Sequence, residues 1–139
     1  MKRTVLILMV LLSLAGCRQG GKTASQATSE KSSAKVQVLL FHAAQRCATC
    51  RAIEAATKEV LDADFAQQVK DGIVVLWDID GSLRENEALL DKYEVISTSI
   101  FVDDEGLVTN LTNDAFSYAR TEPERFKEIL RSTITKALE

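Results

Sequence analysis

Two β-rich runs separated by a helical stretch constrain the fold of this chain more than any other feature of its sequence. The runs are VQVLLFH at residues 36–42 and IVVLWDID at residues 73–80, each short and apolar enough for a buried strand. Between them, apolar residues recur at helical spacing across residues 47–61. Two strands joined by a crossover helix pair in parallel, so the pattern predicts a β-α-β unit.

The segments that flank the second run predict two further helices. DADFAQQVKDG, before the run, indicates a short helix or helical turn that ends near Gly72. SLRENEALLDKY, after it, indicates a helix whose N-cap would be Ser82, with Glu85 as its capping-box partner.

The end of the chain predicts a hairpin and a last helix. TSIFVDDEGLVTNLT, residues 98–112, has an acidic turn ending in glycine between two β-rich runs. A capping box of Thr121 and Glu124, with Pro123 in the first turn, opens the final helix. The expected order is β-α-β-α-β-β-α, an α/β fold with a mixed central sheet flanked by helices.

The first 17 residues, MKRTVLILMVLLSLAGC, have the order of a secretory signal. Lys2 and Arg3 form a positive n-region, residues 5–14 form an apolar stretch short for a bilayer span, and small residues follow. The ending Leu-Ala-Gly-Cys resembles the lipobox of bacterial lipoproteins, which implies cleavage before Cys17 and lipid on its thiol. An ordinary signal peptide with a cysteine near its cleavage site is the alternative.

Domain boundaries follow from this ending and from composition. Residues 1–16 would be the signal peptide, residues 17–35 the lipidated cysteine and a flexible tether, and residues 36–139 the folded domain. Removing the signal takes away two of the 17 basic side chains and leaves 15 against 20 acidic ones, a formal net charge of −5. An acidic chain of this kind argues against nucleic acid as a partner.

Cys47 and Cys50 are separated by two residues, at the point where the first β-rich run gives way to the helical pattern. With Cys17 lipidated, they form a single pair, and so short a loop would add little stability as a staple. Cys-x-x-Cys near a β-α-β pattern is typical of a redox motif, and the spacing also suits a metal. A closed metal site needs more ligands, and the chain has one histidine, His42. The redox interpretation is favoured.

From residue 36 to residue 138, the sequence resembles the thioredoxin family. The resemblance rests on a strand ending in Phe-x-Ala, Cys-x-x-Cys at the start of a helix, the segments VLWDID, LLDKYEVIS and SIFVDDEG, and a final helix. It implies a thioredoxin-like fold and thiol–disulfide exchange without a bound cofactor, with Cys47 as the attacking thiolate and Cys50 as the resolving thiol. Unpaired N–H groups at a helix N-terminus favour the same roles, because they stabilise a thiolate on the first cysteine.

Four neighbours of the cysteines are candidates for tuning or for substrate contact. Arg46 and Arg51 bracket the pair, and a guanidinium close to Cys47 would lower the pKa of its thiol. Ala48 and Thr49 separate the cysteines, where typical thioredoxins have Gly-Pro and strong oxidants have Pro-His. Because this dipeptide helps to set the redox poise, the poise does not carry over from the family.

Three polar residues at the ends of the β-rich runs have two readings each. His42 either tunes the thiols or is a satisfied, partly buried side chain at a strand end, and we favour the second. Asp78 and Asp80 lie at the edge where α/β proteins place their sites, but we interpret them as surface turn residues.

Two parts of the family pattern are replaced in this chain. Leu40 and Leu76 stand where thioredoxins keep a buried Asp and a Lys, so deprotonating the resolving thiol needs water or another group. The cis-proline that faces the cysteines is missing, and Thr98 or Ser99, depending on the alignment, takes its position. A non-proline cis bond is unfavourable, so we expect a trans peptide there. By resemblance, losing that proline leaves substrate recognition open and strengthens the metal alternative.

The sequence thus predicts a membrane-tethered thiol–disulfide oxidoreductase of a bacterial envelope. The lipid would hold it to the inner or outer membrane, with its domain in the periplasm. Its partners would be proteins or small thiols that carry a disulfide or a dithiol, and a transmembrane electron carrier would recharge it if it is a reductant. The alternative is a lipid-anchored module that binds copper, zinc or an Fe–S cluster through Cys47 and Cys50. The direction of electron flow stays open.

Overall fold

A four-stranded mixed sheet is the centre of the fold in the computed structural model, which describes residues 34–139. The strands are β1 (Val36–His42), β2 (Val74–Asp80), β3 (Ser99–Asp104) and β4 (Leu107–Asn110). The helices are α1 (Ala48–Asp64), α2 (Ala66–Lys70), α3 (Glu87–Lys92), α4 (Thr112–Tyr118) and α5 (Pro123–Leu138), with a 3-10 turn at Arg84–Asn86. The predicted signal peptide, Cys17 and the tether to residue 33 lie outside the described residues. Within residues 34–139, no helix has the length and apolar character to cross a membrane.

The strands follow the order β2-β1-β3-β4. β1 and β2 run parallel, with Val36 opposite Val74 and His42 opposite Asp80, which confirms the predicted β-α-β unit. β3 is antiparallel to both β1 and β4, so the prediction of a mixed sheet with a hairpin is also confirmed.

The hairpin turns at Glu105 and Gly106, whose φ angles are 48° and 105°. Both angles are positive, as tight two-residue hairpin turns require, and glycine accepts the larger one without strain.

β1 is a central strand, and its alternate side chains enter two separate cores. Val36, Val38 and Leu40 face α1, α4 and α5, and the side chains that they meet include Ile53, Val60, Ala115, Phe126, Leu130 and Ile134. Leu39 and Phe41 face the opposite side, together with Ile79, Tyr93 and Phe101 and the partly buried Trp77, Leu89 and Leu90. Helices therefore cover both faces of the sheet, and VQVLLFH is nearly continuously apolar because both of its faces are buried.

The two ends of the described fold lie together. The Nζ atom of Lys35, one residue before β1, donates a hydrogen bond to the carbonyl oxygen of Leu138, the last residue of α5, at 2.7 Å. The chain therefore enters and leaves the fold at the same end.

One helix was not predicted. α4 lies between the hairpin and α5, and only its first residue, Thr112, falls within the predicted hairpin. Leu111, Ala115 and Ala119 are buried against the larger core at helical spacing. The small alanines make this face weakly hydrophobic, which hides its period.

Both predicted capping boxes are wrong. The amide and hydroxyl of Ser82 donate to Oδ1 of Asp80 at 2.9 and 2.6 Å, so Ser82 belongs to a turn and α3 begins five residues later. Thr121 lies just after the unpredicted α4 and donates its hydroxyl to the carbonyl of Ser117 in that helix at 3.1 Å. The N-cap of α5 is Glu122, without a side-chain hydrogen bond, and Pro123 occupies the first helical position as predicted.

Candidate functional site

Cys47 and Cys50 form a disulfide at the N-terminus of α1. Cys47 is the N-cap residue, and its backbone is extended, with φ −68° and ψ 168°. Its Sγ accepts a hydrogen bond from the amide of Cys50 at 3.0 Å. The Cys47 carbonyl accepts from the amide of Arg51 at 3.0 Å, the first bond of the helix. The sulfur thus takes the capping role that a serine or aspartate oxygen usually has.

The two cysteines differ in their access to solvent. Cys47 is exposed, whereas Cys50, in the first turn of α1, is 9% exposed. Ala48 is exposed and Thr49 is half-buried between them. A large substrate can therefore reach the sulfur of Cys47 more readily than that of Cys50.

The guanidiniums of Arg46 and Arg51 bind oxygen atoms of the protein. Arg46 binds the carboxylate of Glu54 in α1 and, at 3.4 Å, that of Asp78 in β2. Arg51 donates to the backbone carbonyl of Arg46 at 2.8 Å. The two arginines thus brace the loop that leads into Cys47, and the charge of Arg46 is shared with two carboxylates.

Asp78 joins three positively charged or protonatable side chains at this edge of the sheet. Its carboxylate lies 3.1 Å from His42 Nε2, 3.4 Å from Arg46 Nη2 and 3.6 Å from Lys58 Nζ. Lys58 also binds Glu54 at 2.6 Å, which closes the group. We call these five residues the Asp78 network. Asp78 is exposed, as expected for a surface residue, but the prediction of a turn is wrong because Asp78 is part of β2.

His42 is largely buried and has an oxygen atom close to each ring nitrogen. Its Nε2 faces Asp78, and its Nδ1 lies 3.0 Å from the carbonyl oxygen of Ala43. A neutral imidazole donates through one nitrogen, so both contacts are hydrogen bonds only when the ring is protonated. The favoured reading of His42 as a partly buried, satisfied side chain agrees with this geometry.

Hydrogen bonds within the Asp78 network lower the pKa of Glu54. The bond from Lys58 has the largest effect, partial burial acts against it, and the bond from Arg46 lowers the pKa further. The same bond to Glu54 raises the pKa of Lys58. Both groups are therefore charged at neutral pH, and the Glu54 carboxylate is a poor proton acceptor.

We expect Glu54→Gln to lower the free energy of unfolding at pH 7 by up to about 1 kcal/mol, the value of a partly exposed ion pair. Because folding lowers this pKa from its ordinary 4.5, the contribution is fully present above about pH 4.5 and is lost as the pH falls through the folded value. Urea unfolding of both proteins at pH 7 and pH 3 checks this. An equal difference at the two pH values would contradict it.

Thr98 and Ser99 lie at the same edge of the sheet as the cysteines. Ser99 is opposite Phe41 in the β1–β3 ladder, next to the point where β1 leads into the cysteine loop. Both residues are buried, at 7% and 8% exposure, and Ser99 donates to the carbonyl of Ser97 at 3.1 Å. Every peptide bond of the described residues is trans, as expected for a loop without the proline.

A cleft lies between the cysteine loop and the segment before β3. Its volume is about 210 Å³, and its lining includes His42, Ala43, Gly81, Val95, Ile96 and Ser97. Ile96 is 99% exposed at its rim. The cleft and this isoleucine offer an apolar contact surface at the end of β1.

The positions expected for a buried proton relay are apolar. Leu40 is buried in the larger core, directly opposite Asp78 in the β1–β2 ladder, and Leu76 packs partly buried against the same core. Glu54 and Lys58 were not predicted as part of the site. Their spacing from Cys50, one and two helical turns along α1, is the signal that could have found them.

Ligands for a metal are few around the cysteines. Within the described residues, no group of three or more His, Cys, Asp or Glu side chains could hold a metal ion.

A scan against models of known protein families found no match, and a search of curated protein sequences found none either.

Proposed function

We propose that this protein is a thioredoxin-like thiol–disulfide oxidoreductase in which Cys47 exchanges with the substrate and Cys50 resolves. The observation that carries the proposal is the capping geometry, in which the Cys47 sulfur accepts the amide of Cys50 at 3.0 Å. In the dithiol form, the same amide and the other free N–H groups of the first turn would stabilise a thiolate on Cys47. The greater exposure of Cys47 supports the same division of roles.

The exchange conserves atoms and electrons in two steps. The Cys47 thiolate attacks one sulfur of a substrate disulfide, so that the substrate S–S bond breaks, a mixed disulfide forms, and the departing thiolate takes a proton. The Cys50 thiol then loses its proton and attacks Cys47 Sγ, which releases the second substrate thiol. The substrate gains two electrons and two protons, and the Cys47–Cys50 pair becomes a disulfide. In the reverse direction, a substrate dithiol is oxidised.

Leu40 is apolar, so its side chain cannot accept the proton of Cys50 as a buried carboxylate at that position would. Glu54 lies one helical turn beyond Cys50, but its hydrogen bonds from Lys58 and Arg46 lower its pKa and weaken it as a base. Water that enters beside the exposed Cys47 would take the proton in this proposal.

The proposal also covers the cellular location of the protein and its partners. The ending Leu-Ala-Gly-Cys supports lipid attachment at Cys17 and a place on the inner or outer membrane of a bacterial envelope, with the domain in the periplasm. Proteins or small thiols with a disulfide or a dithiol would be the substrates. A reductant in that compartment needs electrons from elsewhere, which makes a transmembrane electron carrier a fitting partner.

The test is the reduction potential of the cysteine pair. The full chain carrying Cys17→Ser keeps two thiols, so alkylation followed by mass measurement after equilibration in dithiothreitol buffers reports on Cys47 and Cys50 alone. We expect one two-electron transition. A potential near −270 mV would indicate a reductant and one near −120 mV an oxidant. If no internal disulfide forms at any ratio of oxidised to reduced dithiothreitol, the proposed function is wrong.

A further inference from the structure

We propose that Asp78 is a positioning residue for this exchange: together with Glu54, it holds the Arg46 guanidinium between α1 and β2 and so limits the effect of that charge on Cys47. The inference rests on the proposed function and adds to it a residue far from the cysteines in sequence. Asp78 does not act on the substrate itself, because its contacts run to His42, Arg46 and Lys58.

Arg46 lies where its positive charge can affect the pKa of the Cys47 thiol. It immediately precedes Cys47, and a free guanidinium beside a thiolate stabilises the thiolate. In the structure, its Nη1 binds Glu54 and its Nη2 lies 3.4 Å from Asp78, so the head group is held between α1 and β2. The Arg46 side chain is 23% exposed, so the protein covers most of it.

The charges of the Asp78 network are close to balance. Two carboxylates, Asp78 and Glu54, face two permanent cations, Arg46 and Lys58, and His42 adds a charge only when it is protonated. Removing one carboxylate leaves an excess positive charge next to the cysteine pair. It also removes one of the two anchors that keep Arg46 in place.

The sign of the expected effect follows from these contacts. Asp78→Asn keeps the shape of the side chain but removes its charge, so Arg46 can turn toward Cys47. A thiolate would then be favoured, the pKa of the Cys47 thiol would fall, and the dithiol form would become more stable relative to the disulfide. A unit charge acting across several ångströms of partly exposed protein changes such an equilibrium on the order of threefold to tenfold. For a two-electron couple this is about 15 to 30 mV toward a more oxidising potential.

The experiment is a double-mutant cycle between Asp78→Asn and Arg46→Gln in the full chain carrying Cys17→Ser. Two quantities are measured for each protein: the equilibrium constant with dithiothreitol and the pH dependence of Cys47 alkylation. We expect Asp78→Asn to shift the equilibrium threefold to tenfold toward the dithiol in the presence of Arg46, and less than twofold when Arg46 is already glutamine. Equal shifts in both backgrounds would overturn the inference, because Asp78 would then not act through Arg46.

Two further variants keep the result interpretable. Asp64→Asn is the matched control: it breaks an ion pair with Arg131 of 2.9 Å at the far end of α1 and should leave the equilibrium constant within twofold. If Asp78→Asn does not fold, Glu54→Gln removes the other anchor and should shift the equilibrium in the same direction. A shift by Asp64→Asn as large as that of Asp78→Asn would also overturn the inference. A failed exchange in the unsubstituted pair would instead refute the proposed function.

Discussion

Replacing Cys47 with serine is expected to reduce exchange with a disulfide substrate by at least about a thousandfold, the scale on which removal of a nucleophile acts. A serine hydroxyl stays protonated at neutral pH and cannot form a disulfide, so neither the mixed disulfide nor the internal disulfide can arise. The loss is measured as the rate of reduction of insulin or of oxidised glutathione by the reduced protein.

Cys50→Ser supplies the matched comparison. It leaves the exposed thiol of Cys47 intact and removes the group that resolves the mixed disulfide, so a stable adduct with the substrate is expected. Non-reducing gels and mass measurement would show this adduct in Cys50→Ser and not in Cys47→Ser. Both variants carry Cys17→Ser, so that no third thiol contributes. An adduct that forms only through Cys50 would reverse the assigned roles.

Phe41→Ala is expected to lower the free energy of unfolding by about 3 to 5 kcal/mol. Phe41 is 0% exposed, and its ring lies 5.7 Å from that of Tyr93 and 5.8 Å, edge to face, from that of Phe101. Truncation removes both aromatic contacts and leaves a cavity in the smaller of the two cores. A domain of this size has a total stability of only about 5 to 15 kcal/mol, so the variant should be close to unfolding.

Urea unfolding followed by circular dichroism measures this loss, with Phe116→Ala as the control. Phe116 is 43% exposed on α4, and its truncation should change the stability by less than about 1 kcal/mol. Similar losses in the two variants would show that the rings around Phe41 do not form a packed core.

The strands of this fold could be predicted because both of their signals are local. VQVLLFH and IVVLWDID are rich in β-branched and large apolar residues, and the structure has β1 and β2 within one residue of those runs. α4 could not be found in the same way, since its buried positions are small alanines. The caps failed for another reason: Ser82 and Thr121 each had a nearer hydrogen-bond partner, Asp80 or Ser117, which the spacing rule does not consider.

The candidate site was predictable only in part. Cys47 and Cys50 are visible in the sequence because their spacing and their place before a helix are both short-range features. The role of Asp78 could not be predicted, because Asp78 and Arg46 are 32 residues apart in sequence. Their contact depends on the strand register that places Asp78 opposite Leu40. Tertiary pairing of this kind decides which charges meet, and no periodicity along the chain encodes it.

The hydrogen bond between Lys35 and the carbonyl of Leu138 has a consequence for joining the domain to a fusion partner or a solid support. From that end, β1 carries the chain about 20 Å to His42, at roughly 3.3 Å per residue, before the cysteine loop begins. The disulfide therefore lies at one end of the sheet, and both ends of the described fold lie at the other end. A fusion partner or solid support joined at either end of the described fold leaves Cys47 free to react.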